Sequence, residues 1–93
     1  MAQAAATVQI DNERVSVTEW KFAPGAETGW HRHQYDYLVV PQTMGKLRLK
    51  TKVGESVSEL IAGQSYFRKA GVEHNVINAG DGELVFVEIE IKG

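Results

Sequence analysis

Apolar and polar residues alternate along most of this chain, and this pattern predicts β-strands. Leu47 and Leu49 lie on one face of such a segment, while the residues between and around them are charged. The clearest strand segments are residues 14–22, 35–40, 46–52 and 84–91, with shorter ones at 7–10, 56–61, 64–68 and 75–78. No segment of ten or more residues has clean helical periodicity. The pattern therefore predicts an all-β protein.

The last of these segments has one face made only of β-branched residues. That face carries Val85, Val87, Ile89 and Ile91. Glu88 and Glu90 share the opposite face, because alternate residues of a strand point the same way. We expect these two glutamates to meet solvent or an interface.

Turn signals rich in glycine separate the strand segments at short intervals. Many short, evenly spaced strands are typical of a sandwich or barrel. A chain of 93 residues forms one domain with one core. We expect that domain to span residues 7–93, after a flexible N-terminus over residues 1–6.

Composition narrows the classes of function. The apolar fraction of 43% and the charged fraction of 24% are those of an ordinary globular protein. A net charge of −2 gives no basic face for nucleic acid. The chain has no apolar run long enough to cross a membrane, and its first residues lack the features of a signal peptide. The expectation is a soluble cytoplasmic protein without nucleic-acid or membrane partners.

Candidate chemistry lies in the histidines, since the chain has no cysteine for disulfides, thiolate ligands or thiol catalysis. The three histidines are His31, His33 and His74. On a strand, His31 and His33 point to the same side, and a third imidazole arriving after a turn completes a nitrogen-ligand metal site. The alternative is three polar side chains satisfied by hydrogen bonds.

These residues resemble the two motifs of the cupin family. Gly25, His31, His33 and Gly45 fit the first motif, and Gly63, Gly71, His74 and Asn78 fit the second. The resemblance implies a single-domain jelly-roll β-barrel of the RmlC-like type, with a metal or ligand pocket inside its mouth. We expect the four motif glycines to supply positive φ angles in tight turns.

The chain departs from this pattern in two places. The family's glutamate ligand is missing, and Tyr37 or Leu38 stands in its place, depending on whether three or four residues follow His33. The spacing to the next motif glycine favours Leu38, whereas alternation from the histidines favours Tyr37, which offers a phenol. Lys69 replaces the proline of the second motif, which loosens the turn by about 0.4–1 kcal/mol without changing the fold.

Further pocket candidates are polar or aromatic residues close to the motifs. They are Tyr35, Tyr66, Gln64 and Asn78. The alternative for the tyrosines is plain core packing, because aromatic side chains dominate protein cores by area. Gln64 and Arg68 are also of the type that reaches a substrate carboxylate.

The leading hypothesis is a small metal-binding protein, acting as an enzyme of dioxygenase, lyase or isomerase type on a small organic anion. His31, His33 and His74 would hold one divalent ion (Fe, Zn, Ni, Mn or Cu), and Tyr37 is the catalytic candidate. Three neutral ligands leave the ion its full +2 charge, which favours an anionic ligand. The alternatives are a non-catalytic small-molecule-binding or sensor protein and a metal-free acid–base enzyme.

Assembly is the last expectation. Residues 7–10 read as a strand without a partner of its own, and exposed sheet edges must be covered. Pairing with a second subunit answers both points, and the resemblance implies the same. We therefore expect a homodimer.

Overall fold

The computed structural model describes residues 2–93, and this part of the chain forms nine β-strands and no helix. The strands are β1 (Ala5–Asp11), β2 (Val15–Phe22), β3 (His31–Arg32), β4 (Asp36–Pro41), β5 (Gly45–Thr51), β6 (Gly54–Leu60), β7 (Tyr66–Arg68), β8 (Glu73–Asn78) and β9 (Leu84–Ile91). The predicted all-β class is confirmed. Among these residues there is accordingly no helix able to cross a bilayer.

The strands form two antiparallel sheets in a jelly-roll arrangement. One sheet has the order β1-β2-β9-β4-β7 and the other the order β3-β8-β5-β6. The core lies between them, and its buried members are Ala4, Phe22, Ala26, Tyr37, Val39, Leu47, Leu60, Val76, Leu84 and Phe86. Both sheets thus bury one face and leave the other on the outside, which is the usual construction of a two-sheet β-fold.

Strand β1 has a partner within its own chain, contrary to the sequence-based expectation. It pairs with β2 in antiparallel register, with a bulge between Val8 and Ile10. The strand begins at Ala5 and Ala4 is buried, whereas the sequence-based expectation placed the start of the domain at residue 7. Met1, the first residue of the predicted flexible segment, lies outside the described residues.

Strand β9 presents its faces the opposite way from the expectation. Leu84 and Phe86 are buried in the core, so Glu88 and Glu90, at the same parity, also lie on the inner face. The register agrees, because Glu88 is opposite the core residue Val39, and opposed residues share a face. Apolar residues occur at both parities of this strand, and the β-branched run faces outward.

The motif glycines serve two different purposes. Gly71 has a φ of +96°, as predicted for a tight turn, and its N–H donates to the His33 carbonyl. Gly45 does not have positive φ. A Cβ there would lie 2.6 Å from Cδ1 of Leu84, so this glycine is required by the close approach of β5 to β9.

Candidate metal centre

The three histidines meet at one end of the barrel. His31 on β3 is directly opposite His74 on β8. His33 follows β3, and its N–H donates to the Val72 carbonyl, which holds it beside the same strand pair. Nε2 of His33 lies 3.0 Å from Nε2 of His31 and 3.2 Å from Nε2 of His74. The spacing in the sequence therefore brings three imidazole nitrogens to one point, as predicted.

A backbone carbonyl sets the tautomer of His31. Nδ1 of this ring lies 3.0 Å from the Gly29 carbonyl, which only accepts hydrogen bonds, so Nδ1 carries the proton. Gly29 is held in turn by its N–H, which donates to Oδ1 of Asn75 at 2.9 Å. The lone pair of His31 therefore lies on Nε2, the atom that faces the other two histidines. Sequence reasoning missed Asn75, although it directly follows His74.

The surroundings keep the other two rings neutral. Burial, with the neighbouring His31 and His74, lowers the pKa of His33 to about 4. Burial, with His31 and Arg68, lowers the pKa of His74 to about 4. Neutral imidazoles with free lone pairs are the form that binds a metal ion.

The distances also fit a common ion. Nitrogen ligands about 2.0–2.1 Å from one ion lie about 2.9 Å apart at a right angle and about 3.3 Å apart at the tetrahedral angle. The observed separations of 3.0 and 3.2 Å fall within that interval. His31, His33 and His74 could therefore hold a first-row divalent ion through three nitrogen atoms.

Tyr37 takes the position nearest the histidines, and Leu38 does not. Tyr37 is 3% exposed on the inner face, whereas Leu38 lies on the outer face opposite Ile89. The Tyr37 ring stacks on the His33 ring with centroids 3.9 Å apart and planes at 17°. Burial, reinforced by the nearby Glu88, raises the pKa of Tyr37, so its phenol stays protonated as a hydrogen-bond donor.

A cavity of about 150 Å³ opens beside the histidines, between the two sheets. His74 and Tyr37 contribute to its wall, which is mainly apolar with polar groups from Tyr66, Arg68 and Glu88. Cavities of about this volume accommodate a ring such as benzene. The site therefore combines a nitrogen-ligand cluster with room for one small organic molecule.

The remaining predicted pocket residues are not brought together at this cavity. Tyr66 lines it, but Tyr35 does not. Gln64 lines a separate cavity of about 260 Å³ beside β6, which Tyr66 and Arg68 also border. The parity of Tyr35 with the histidines does not extend across the irregular segment between His33 and β4.

Asn78 has a structural role instead. Its side-chain amide donates to the carbonyls of Phe22 and Gly82, at 3.1 and 2.9 Å. Its Oδ1 accepts from the N–H of Gly80 at 2.9 Å. These bonds fasten the turn between β8 and β9, and Asn78 does not line the cavity beside the histidines.

Two carboxylates that sequence reasoning placed outside the site belong to its inner face. A carboxylate oxygen of Glu88, one of Glu90 and a ring nitrogen of His33 all lie within 4.8 Å of one another. Burial, with the neighbouring Glu90, raises the pKa of Glu88 to about 7. The signal that could have found them is their shared parity with the large residues Leu84 and Phe86.

The two facing antiparallel sheets place this protein in the class of small jelly-roll proteins. Its three imidazoles converge at one end of the barrel. The chain belongs to the cupin family, because residues 18–90 match the family model described as "Cupin domain". A curated relative from Pseudomonas aeruginosa, the "Beta-alanine degradation protein BauB", is 67% identical over 90 residues, covering 97% of this chain and 95% of the relative.

Solved structures show the same fold. A cupin domain from Bordetella pertussis is 64% identical, with a TM-score of 0.96 over 99% of this chain and 96% of that one. A cupin-like protein from Thermotoga maritima, 24% identical, has a TM-score of 0.79 over 99% of this chain and 71% of that one. The second likeness concerns the fold alone.

Proposed function

We propose that this cupin is a metal-dependent enzyme that acts on a small organic anion. The observation that carries the proposal is the convergence of three Nε2 atoms, 3.0 and 3.2 Å apart, beside a cavity of small-molecule size. The name of the Pseudomonas relative supports it, since β-alanine is a carboxylic acid small enough for about 150 Å³. Dioxygenase, lyase and isomerase reactions remain the candidate types.

Each residue of the site has a defined part in this proposal. His31, His33 and His74 would hold the ion. A divalent ion bound there supplies a Lewis acid with open positions for an anionic ligand. Tyr37 fixes the His33 ring by stacking and offers a protonated phenol to the bound molecule. The apolar wall around Val76 and Phe86 limits the access of water.

The first test is the metal content of the purified protein. We expect close to one transition ion per chain by mass spectrometry of the elements, and a higher melting temperature when metal is added back after chelation. His74→Ala removes one of three ligands and should reduce the content at least about tenfold. Gln34→Ala is the matched control, because Gln34 is exposed between His33 and β4.

The same experiment separates the alternatives. A stable protein without metal, and without stabilisation by any added ion, would contradict the proposal. A melting shift with small carboxylates but no turnover of any of them indicates a binding protein. Turnover that survives in metal-free His74→Ala indicates acid–base catalysis instead.

A further inference from the structure

The inner face of the five-stranded sheet has acidic residues on β9 and a basic residue on β7, with β4 between them. One row across β9, β4 and β7 consists of Glu90, Tyr37 and Arg68, and the next row inward consists of Glu88, Val39 and Tyr66. Neighbouring strands are about 4.8 Å apart, so Glu90 and Arg68, at the two ends of the first row, are separated by about 10 Å of backbone. Glu88 thus stands on one side of the cavity and the Arg68 guanidinium on the other.

Arg68 is available to a ligand. Its guanidinium lies 4.5 Å from the centre of the Tyr66 ring, and its Nη1 donates to the Phe67 carbonyl at 3.1 Å. No carboxylate within residues 2–93 forms an ion pair with it. Arg68 lines the cavity together with His74, and its remaining N–H groups suit the fork of a carboxylate.

Glu88 is the complementary group. It lines the same cavity one row deeper than Arg68, and the part of the chain described gives it neither a hydrogen bond nor an ion pair. A carboxylate in such surroundings is stabilised by a cation that arrives with a ligand.

We propose that the cavity binds a short ω-amino carboxylate, with its carboxylate on Arg68 and its ammonium on Glu88. This inference rests on the proposed function and specifies the substrate class of that site. The apolar side chains of Val39 and Phe86 suit the methylene groups between the two charged ends. About 150 Å³ corresponds to about six non-hydrogen atoms, the size of β-alanine.

The test is calorimetric titration at pH 8 of the protein as purified, with β-alanine, propionate, n-propylamine and 3-hydroxypropionate. β-Alanine should bind at least about tenfold more tightly than each of the other three, because only it meets both charges. Arg68→Gln should weaken β-alanine and propionate by similar factors. Glu88→Gln should weaken β-alanine about tenfold and leave propionate unchanged.

Arg48→Gln and Glu83→Gln are the matched controls. Both side chains are exposed and neither lines either cavity, so neither variant should change any of the four affinities. Thermal melting of Glu88→Gln, which we expect to remain folded, separates a lost contact from a lost fold.

Equal affinities for β-alanine and propionate, or a Glu88→Gln variant with undiminished affinity for β-alanine, would overturn the inference. Tighter binding of 3-hydroxypropionate also overturns it, since an ammonium is then not what the site selects. Metal content measured on the same samples separates the two proposals. Charge selectivity without metal contradicts only the proposed function, and metal without charge selectivity contradicts only this inference.

Discussion

Glu88 is a carboxylate in surroundings that do not favour its charged form. It lies on the inner face beside Phe86 and Glu90, where burial penalises a negative charge. An ordinary carboxyl group with a pKa of 4.5 is ionised at neutral pH, whereas this one has a pKa of about 7. The folded state therefore binds a proton more tightly at this position than the unfolded chain does.

This difference makes stability depend on pH. Because the folded pKa is raised, the contribution of Glu88 is fully present below pH 4.5 and is lost as the pH rises through about 7. The full change is up to about 3 kcal/mol. Glu88→Gln removes the titration, so its free energy of unfolding should rise relative to the parent protein between pH 5 and pH 8. Urea unfolding in the presence of a chelator measures both profiles.

Glu59→Gln serves as the control for this measurement, because Glu59 is exposed on β6. Its difference from the parent protein should stay constant over the same pH range. Parallel profiles for Glu88→Gln and the parent protein would show that Glu88 titrates at an ordinary pKa.

Individual residues of the site differ in how far the sequence predicts them. The histidines follow from local spacing, because His31 on β3 and His33 just after it point to the same side, and His74 lies opposite His31 in a fixed register. Tyr37 has the parity of the histidines, although the irregular segment between His33 and β4 separates it from them. The inward position of Glu88 could not be predicted from the local sequence, since both faces of β9 carry apolar residues. Only packing against the second sheet decides which face turns inward.

At the scale of elements, the start of β5 is pressed against the start of β9. Gly45 opens β5, and Leu84, which opens β9, is 1% exposed. Gly45 fits the sequence motif, and we expected it to supply a positive φ angle in a tight turn. The actual cause is a contact between segments far apart in the chain, which no local pattern reveals.

Gly45→Ala should therefore destabilise the fold. The added Cβ would lie 2.6 Å from Cδ1 of Leu84, whose fully packed side chain has little room to move. Overpacking of this kind costs about 1–3 kcal/mol, to be measured by urea unfolding. Gly82→Ala is the control, since no atom lies within 4 Å of a Cβ there and its φ is not positive. Equal stabilities of the two variants would contradict the packing argument.

At the scale of the whole molecule, the outer face of the five-stranded sheet is apolar over most of its width. Its members, which share a face through the strand register, include Ile10, Val17, Leu38, Val40, Phe67, Val87 and Ile89. Ile10 is 48% exposed and Phe67 47% exposed, at opposite edges of the sheet. Single chains rarely leave so continuous an apolar surface in contact with water.

This face gives the expected homodimer a different basis from the one inferred from the sequence. Residues 7–10 no longer need a partner, because β1 already pairs with β2. A face-to-face contact about a twofold axis buries the same apolar surface on both copies. Such a contact needs no new strand pairing at the sheet edges.

Light scattering should accordingly give twice the 10.3 kDa mass of one chain. Ile89→Lys places a charge at the centre of the outer face, on the middle strand, and should yield single chains with an unchanged circular dichroism spectrum. Val57→Lys is the control, because Val57 is 60% exposed on β6 of the other sheet and its replacement should leave the mass unchanged. A parent protein with the mass of one chain at every concentration would show that the apolar face remains open.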